Sequence, residues 1–152
     1  MLKLAVCLLA AGVVYSADAP GVTHWSATSM KAWRAHLAPK LNAQHIVNER
    51  VGDFGKYFFL AVLRNGSGQA ELHETDADIF IVQGGEGRLV TGGTMIDPKT
   101  TQPHEVRGSG IKGGQETKIG PGDVVTIPPK TPHLVKLDPG KEIVYMAVKI
   151  VE

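Results

Sequence analysis

From His45 to the C-terminus the chain reads as short apolar runs cut off by turn residues, and this grammar constrains the fold more than any other feature. The runs are His45–Val51, Tyr57–Arg64, Gln69–Glu74, Asp78–Gln83, Gly87–Thr91, Glu116–Ile119, Val124–Ile127, His133–Leu137 and Glu142–Val151. Most are rich in Val, Ile, Phe or Tyr, residues that pack well on a pleated surface. Gly52-Asp53-Phe54-Gly55, Asn65-Gly66-Ser67-Gly68, Gly84-Gly85-Glu86-Gly87, Pro121-Gly122-Asp123 and Pro139-Gly140 separate them, since Gly, Asn and Asp tolerate tight turn geometry. No helical period intervenes. The fold class is all-β, a jelly roll or β-barrel of about eight to nine strands. The longest interruption, Gly92 to Gln115, is expected to be a functional or mobile connection.

The first 44 residues follow other rules. Lys3 precedes the uncharged apolar run Leu4–Val14, and Ala17-Asp18-Ala19 supplies a small-residue cleavage pattern, with Val14-Tyr15-Ser16 as a second. This is the layout of a secretory signal over residues 1–19, cut after Ser16 or Ala19, so the mature chain is expected to be secreted or periplasmic. The run is shorter than the roughly 18 residues that cross a bilayer, and no stable membrane span is expected after cleavage. Residues 20–44 form an N-terminal segment. Within it Met30, Trp33 and Leu37 make one helical stripe, with Ser29 as the expected cap and Pro39 as the stop. That helix is expected to pack on the outside of the main domain, residues 45–152.

Composition excludes several functions. The single cysteine, Cys7, lies in the signal core, so a mature chain has neither disulfide nor thiolate chemistry. Net charge is +1 with no Lys/Arg stripe, which argues against nucleic acid as a partner.

Four residues carry the chemistry. Glu71 and His73 are two apart on an expected strand and so leave the same face. Asp78 begins the next strand after a tight turn. His133 begins a strand just after Pro128-Pro129-Lys130-Thr131-Pro132, and strand pairing can bring it beside that hairpin. Two imidazoles and two carboxylates facing inward suit a divalent metal. A plainer reading also stands: Glu71 as a solvated strand residue, Asp78 as a turn residue, and the histidines as core side chains. His24 and His36 are given no chemical role. His45 is read as structural, His104 as a surface loop residue, Asp123 as a turn residue, and Ser109 as part of a lid or interface.

The spacing resembles the cupin superfamily over roughly residues 57 to 150. In that family's first motif His73 matches the second His, Asp78 the Glu and Gly85 the closing Gly, while Glu71 stands where the first His is usual. In the second motif Gly122, Pro128 and His133 keep their places, while Lys130 replaces a Gly and Leu137 an Asn. The resemblance implies one divalent metal held by Glu71, His73, Asp78 and His133. The second carboxylate, Glu71, favours Mn, Fe, Zn or Ni over Cu(I). It further implies a small-molecule ligand or substrate in the barrel. The expected activity is oxidoreductase- or dioxygenase-like, or isomerase-like, with Glu71 a general base if it is not a ligand. The alternative is a non-catalytic cupin that binds a small molecule or metal. A homodimer is plausible by the same resemblance, with Val144–Val151 and the Met30–Leu37 helix as candidate interfaces.

Overall fold

The computed structural model describes residues 21–151, so the expected signal segment lies outside the described residues. The helix forms but starts earlier than expected. α1 spans Ala27–Leu37, and its cap is Ser26, whose Oγ accepts a hydrogen bond from the Ser29 backbone N–H. Ser29 in turn donates its hydroxyl to the Ser26 carbonyl, so it serves the first turn without capping it. A short 3₁₀ turn over Ala38–Lys40 holds Pro39 near its start, where a missing N–H costs nothing.

Thirteen strands follow among the described residues. They are β1 (Ile46–Asp53), β2 (Tyr57–Arg64), β3 (Ala70–His73), β4 (Asp76–Gly85), β5 (Gly87–Thr91), β6 (Thr94–Ile96), β7 (Lys99–Gln102), β8 (Glu105–Gly108), β9 (Gly110–Lys112), β10 (Gln115–Ile119), β11 (Val124–Ile127), β12 (His133–Lys136) and β13 (Ile143–Val151). Nine coincide with the runs legible in the sequence. The other four, β6 to β9, occupy the segment expected to be a loop. They are short, and β7, set between Pro98 and Pro103, is exposed throughout, so no apolar alternation marks it.

The strands form two principal sheets, ordered β1-β2-β13-β4-β11 and β10-β5-β12-β3-β8-β7, with β6 and β9 as a separate pair. The sheets face each other as an open jelly roll; they do not close into a barrel. Between them lies one core, built from inward residues of both sheets: Val62, Phe80, Val82, Leu89, Val135, Ile143 and Tyr145 among others.

A second core lies on the outer face of the first sheet. Ala61, Leu63, Val144, Met146 and Val148 pack there with Trp33 and Leu37 of α1. Burying side chains of that size stabilises by about 1.5–3 kcal/mol each, which fixes α1 against the sheet as the stripe implied. β13 is therefore a central strand with both faces covered, and Val144–Val148 are buried within the chain itself. They do not form an available interface; only Ile150 and Val151 of that strand are exposed hydrophobics.

Two backbone positions explain the motif residues. Gly85 has φ +72°, and a Cβ there would lie 2.0 Å from the Glu142 carbonyl oxygen, so only glycine fits. Lys130 occupies the position where the resembling family has glycine, and it adopts the left-handed φ of 62° that glycine accepts freely. Its backbone N–H donates to the His73 carbonyl at 2.7 Å, tying the proline-rich turn to β3.

Candidate metal centre

All four residues read from the sequence meet at one end of the space between the sheets. Strand alternation sends Glu71 and His73 inward from β3, and His133 is the register partner of Glu71 across the β12–β3 pair. Ligand atoms of Glu71, His73 and His133 all lie within 4.8 Å of one another. Glu71 Oε2 is 3.8 Å from His73 Nε2 and 3.9 Å from His133 Nε2. Asp78 contributes Oδ2, at 3.1 Å from His73 Nε2 and 3.5 Å from His133 Nε2.

Partners on the far side of each ring aim the Nε2 atoms. His73 Nδ1 lies 2.6 Å from Glu105 Oε1, and His133 Nδ1 lies 3.0 Å from the Thr131 carbonyl. A carboxylate or carbonyl accepting from Nδ1 fixes an imidazole so that Nε2 faces a metal. His133 Nε2 is buried without a hydrogen-bond partner, and His73 Nε2 meets only the Asp78 carboxylate at 3.1 Å, an arrangement that an ion among them would relieve. This donor set fits a divalent cation.

The sequence reading missed the cations that surround it. Glu71 is gripped on both oxygens: Arg64 Nη2 donates to Oε1 at 3.0 Å, and Arg107 Nη1 stands 2.6 Å from Oε2. Arg107 Nη2 also donates to Glu105 Oε2 at 3.2 Å. Lys149 Nζ lies 2.9 Å from Asp78 Oδ1. These contacts are products of register. Glu71 stands opposite Arg107, and His73 opposite Glu105, across β3–β8; Lys149 stands opposite Asp78 across β13–β4. The only local signal was a charge in an apolar strand, visible at Lys149 and at Arg64, the last residue of β2.

Electrostatics follow from these contacts. Burial would raise the Glu71 carboxyl, but Arg107 and Arg64 outweigh it and hold the group below the usual carboxylate range. Asp78 is likewise pushed up by burial and brought below its ordinary value by His73 and Lys149. In the metal-free site burial lowers His73, yet Asp78 and Glu105 on its two nitrogens prevail and raise it to about 9. His133 is lowered, chiefly by burial. Burial raises Tyr145, whose hydroxyl oxygen accepts from Arg64 Nε at 3.0 Å.

The centre opens into a cavity of about 550 Å³, lined by polar residues from the Asn42–Asn48 segment and by Phe80, Tyr145 and Lys149. A larger concavity of about 960 Å³ lies around Gly85–Arg88 and Gly120–Asp123, away from both imidazoles. Its charged groups largely neutralise each other, as in Arg88–Asp138 and Lys141–Glu86.

The remaining residues take ordinary roles. Asp123 accepts from the Gly120 backbone N–H at 2.7 Å, closing its turn. Exposed His104 pairs with Glu74 at 3.1 Å, and Ser109 bonds Asp97. His45 sits just before β1 at the cavity mouth, with Nδ1 3.1 Å from Asn65 Oδ1.

No family model matches the sequence, and no curated protein matches it significantly. Solved structures do match. An uncharacterized protein with a double-stranded β-helix domain from Klebsiella pneumoniae aligns with a TM-score of 0.53 at 12% identity, covering 72% of this chain and 80% of the other. This chain has the cupin fold. Two other cupin-like structures resemble it: the polyketide cyclase RemF from Streptomyces resistomycificus and a putative mannose-6-phosphate isomerase from Ralstonia eutropha. The first aligns at TM-score 0.52 and 19% identity, over 72% of this chain and 67% of the other. The second has TM-score 0.52 and 14% identity, over 74% and 90%. The cupin architecture accounts for the two motifs, which supply strands and turns that meet at this centre.

Proposed function

We propose that the protein is an exported, metal-dependent cupin enzyme acting on a small polar molecule held in the 550 Å³ cavity. One observation carries this reading: two buried imidazole Nε2 atoms are aimed by Glu105 and Thr131 at the same space as Glu71 Oε2 and Asp78 Oδ2. The ligands in this reading are Glu71, His73, Asp78 and His133. A bound divalent ion would supply Lewis-acid polarisation of a substrate oxygen. Glu105 and the Thr131 carbonyl keep both imidazoles oriented. Arg64 donates to the Tyr145 oxygen, which leaves the Tyr145 proton free to be donated to a ligand. Glu71 is assigned as a ligand rather than a base, because a carboxylate held low by two guanidinium groups takes up a proton poorly.

Structural neighbours described as a cyclase and a putative isomerase favour rearrangement over oxygen chemistry. The test is metal analysis of the purified chain after reconstitution with Mn, Fe(II), Zn or Ni, followed by dioxygen uptake with phenols, diketones and keto acids. One equivalent of metal, lost in His73→Ala and His133→Ala, is the expected result. Binding below roughly a tenth of an equivalent would remove the enzyme reading. Dioxygen consumption would move the activity to the oxidoreductase class.

A non-catalytic binding role is the second reading, supported by the pairing of all three site carboxylates with Arg64, Arg107 or Lys149. Metal uptake without turnover of any substrate would favour it. Export and a homodimer belong to the proposal as well; N-terminal sequencing of mature protein and sedimentation test them.

A further inference from the structure

Asn65-Gly66 is the chain's one Asn-Gly pair, and it lies in the bend between β2 and β3 with Asn65 exposed. The far half of that connection is pinned. The Ser67 hydroxyl exchanges hydrogen bonds with the Leu137 backbone, and the Gly68 N–H donates to the Val135 carbonyl at 2.9 Å. The near half is looser, since no described residue accepts a hydrogen bond from the Gly66 N–H. Glycine is required at 66, because a Cβ there would lie 2.7 Å from the His45 Cβ. The fold thus enforces the one residue type that leaves its backbone nitrogen unshielded by a side chain.

His45 supplies the other element. It holds a left-handed φ of 61°, a conformation that strains a non-glycine residue. Asn42 stabilises it: its Oδ1 accepts from the Gln44 and Ile46 N–H groups, and its carbonyl accepts from the His45 N–H. So placed, His45 Nδ1 lies 3.1 Å from Asn65 Oδ1. An amide oxygen only accepts, so Nδ1 carries the hydrogen.

We infer that Asn65 is a site of spontaneous deamidation, with His45 donating to the oxyanion that forms at Asn65 Oδ1. Neither residue needs a metal for this chemistry. The Gly66 nitrogen gives its proton to a solvent base and attacks Asn65 Cγ, and the carbonyl electron pair moves onto Oδ1. The His45 N–H bonds that oxygen more strongly as its charge develops. The pair then returns, the Cγ–Nδ2 bond breaks, and Nδ2 takes a proton from water and leaves as ammonia. Water opens the resulting succinimide. Addition at Cγ breaks the new N–Cγ bond and leaves aspartate; addition at the Asn65 backbone carbonyl breaks the original peptide bond and leaves isoaspartate. Either product adds a negative charge beside His45, which lines the cavity of the centre. Isoaspartate also lengthens the main chain by one carbon, between Arg64, which grips Glu71, and β3.

The test follows the full chain in neutral buffer at physiological temperature by peptide mass spectrometry, with isoaspartyl methyl-transfer labelling as the second readout. A synthetic peptide of residues 62–69 gives the rate without the fold. Asn65 is expected to convert while Asn42 and Asn48 stay amides, since Asn42 Oδ1 holds two backbone N–H groups and Asn48 precedes Glu49 within β1. His45→Gly, which suits that backbone, should slow conversion by roughly threefold or more, less than a fully enclosed oxyanion donor gives. A native rate below roughly a third of the peptide's would mean that the fold keeps the nitrogen from the carbonyl carbon, and overturns the inference. Conversion of His45→Gly as fast as the wild type overturns it too. Comparing the wild-type chain with the peptide decides the site even if the variant does not fold.

Discussion

Lys149 stands directly opposite Asp78 across the β13–β4 ladder, and its Nζ lies 2.9 Å from Asp78 Oδ1. Asp78 is buried and Lys149 only partly exposed, so water does little to stabilise the carboxylate. Lys149→Met removes the cation and strands a carboxylate, a change that typically costs about 3–5 kcal/mol. Denaturant unfolding of the metal-free variant is expected to fall by an amount near the lower end, because His73 still faces Asp78. Adding Zn(II) or Mn(II) should restore more stability to the variant than to the wild type. Equal stability of both metal-free proteins would show that the pair contributes little.

His73 makes the metal-free protein sensitive to alkali. Its folded value, about 9, lies above the ordinary 6.5, so folding favours the protonated ring. The resulting stability is fully present below pH 6.5 and is lost as pH rises through about 9. Asp78 and Glu105 work in the other direction: both are lowered by folding, and their contribution is lost as pH falls through their folded values. Unfolding midpoints of the metal-free chain should decline between pH 6.5 and 9. Metal should flatten that decline, since a metal-bound imidazole no longer carries the proton. A midpoint independent of pH over this window in the metal-free chain would contradict the imidazolium assignment.

Gly85 and Lys130 should respond in opposite senses to exchange of their side chains. Gly85→Ala places a methyl 2.0 Å from the Glu142 carbonyl and forces a left-handed backbone on an L residue. A loss of more than about 2 kcal/mol is expected, with strand β4 displaced at its end. Lys130→Gly relieves the same backbone conformation at no steric cost and should stabilise by about 0.5–1 kcal/mol after the entropy of glycine is counted. Thermal melts of the two variants check both signs.

Trp33→Ala tests whether stability and site are separable. Trp33 is 2% exposed beneath α1, on the outer face of the first sheet, away from the imidazoles. Truncation should cost about 3–5 kcal/mol while metal stoichiometry remains that of the wild type. A variant that folds but loses metal would mean that α1 bears on the centre.

Much of this was readable from local pattern. Runs such as Tyr57–Arg64 and Val124–Ile127 have the strand bounds found in the fold, because period and turn chemistry act over a few residues. The four short strands of the Gly92–Gln115 segment were not readable: they pair mainly with one another, and runs of three or four residues are too short to show an apolar alternation.

The candidate site was legible from spacing, since alternation sends Glu71 and His73 to one side and a turn places His133 at a strand start, while Asp78, expected to begin its strand, is the third residue of β4. Spacing says nothing about what lies across a ladder. Arg107 beside Glu71, Glu105 behind His73 and Lys149 against Asp78 are each more than 30 residues away from their partners in sequence. Side-chain direction is a property of one strand, whereas charge balance belongs to several strands in register. The amino-acid order therefore determined which groups point inward, and tertiary pairing alone decided that they stand in a cation-clamped site.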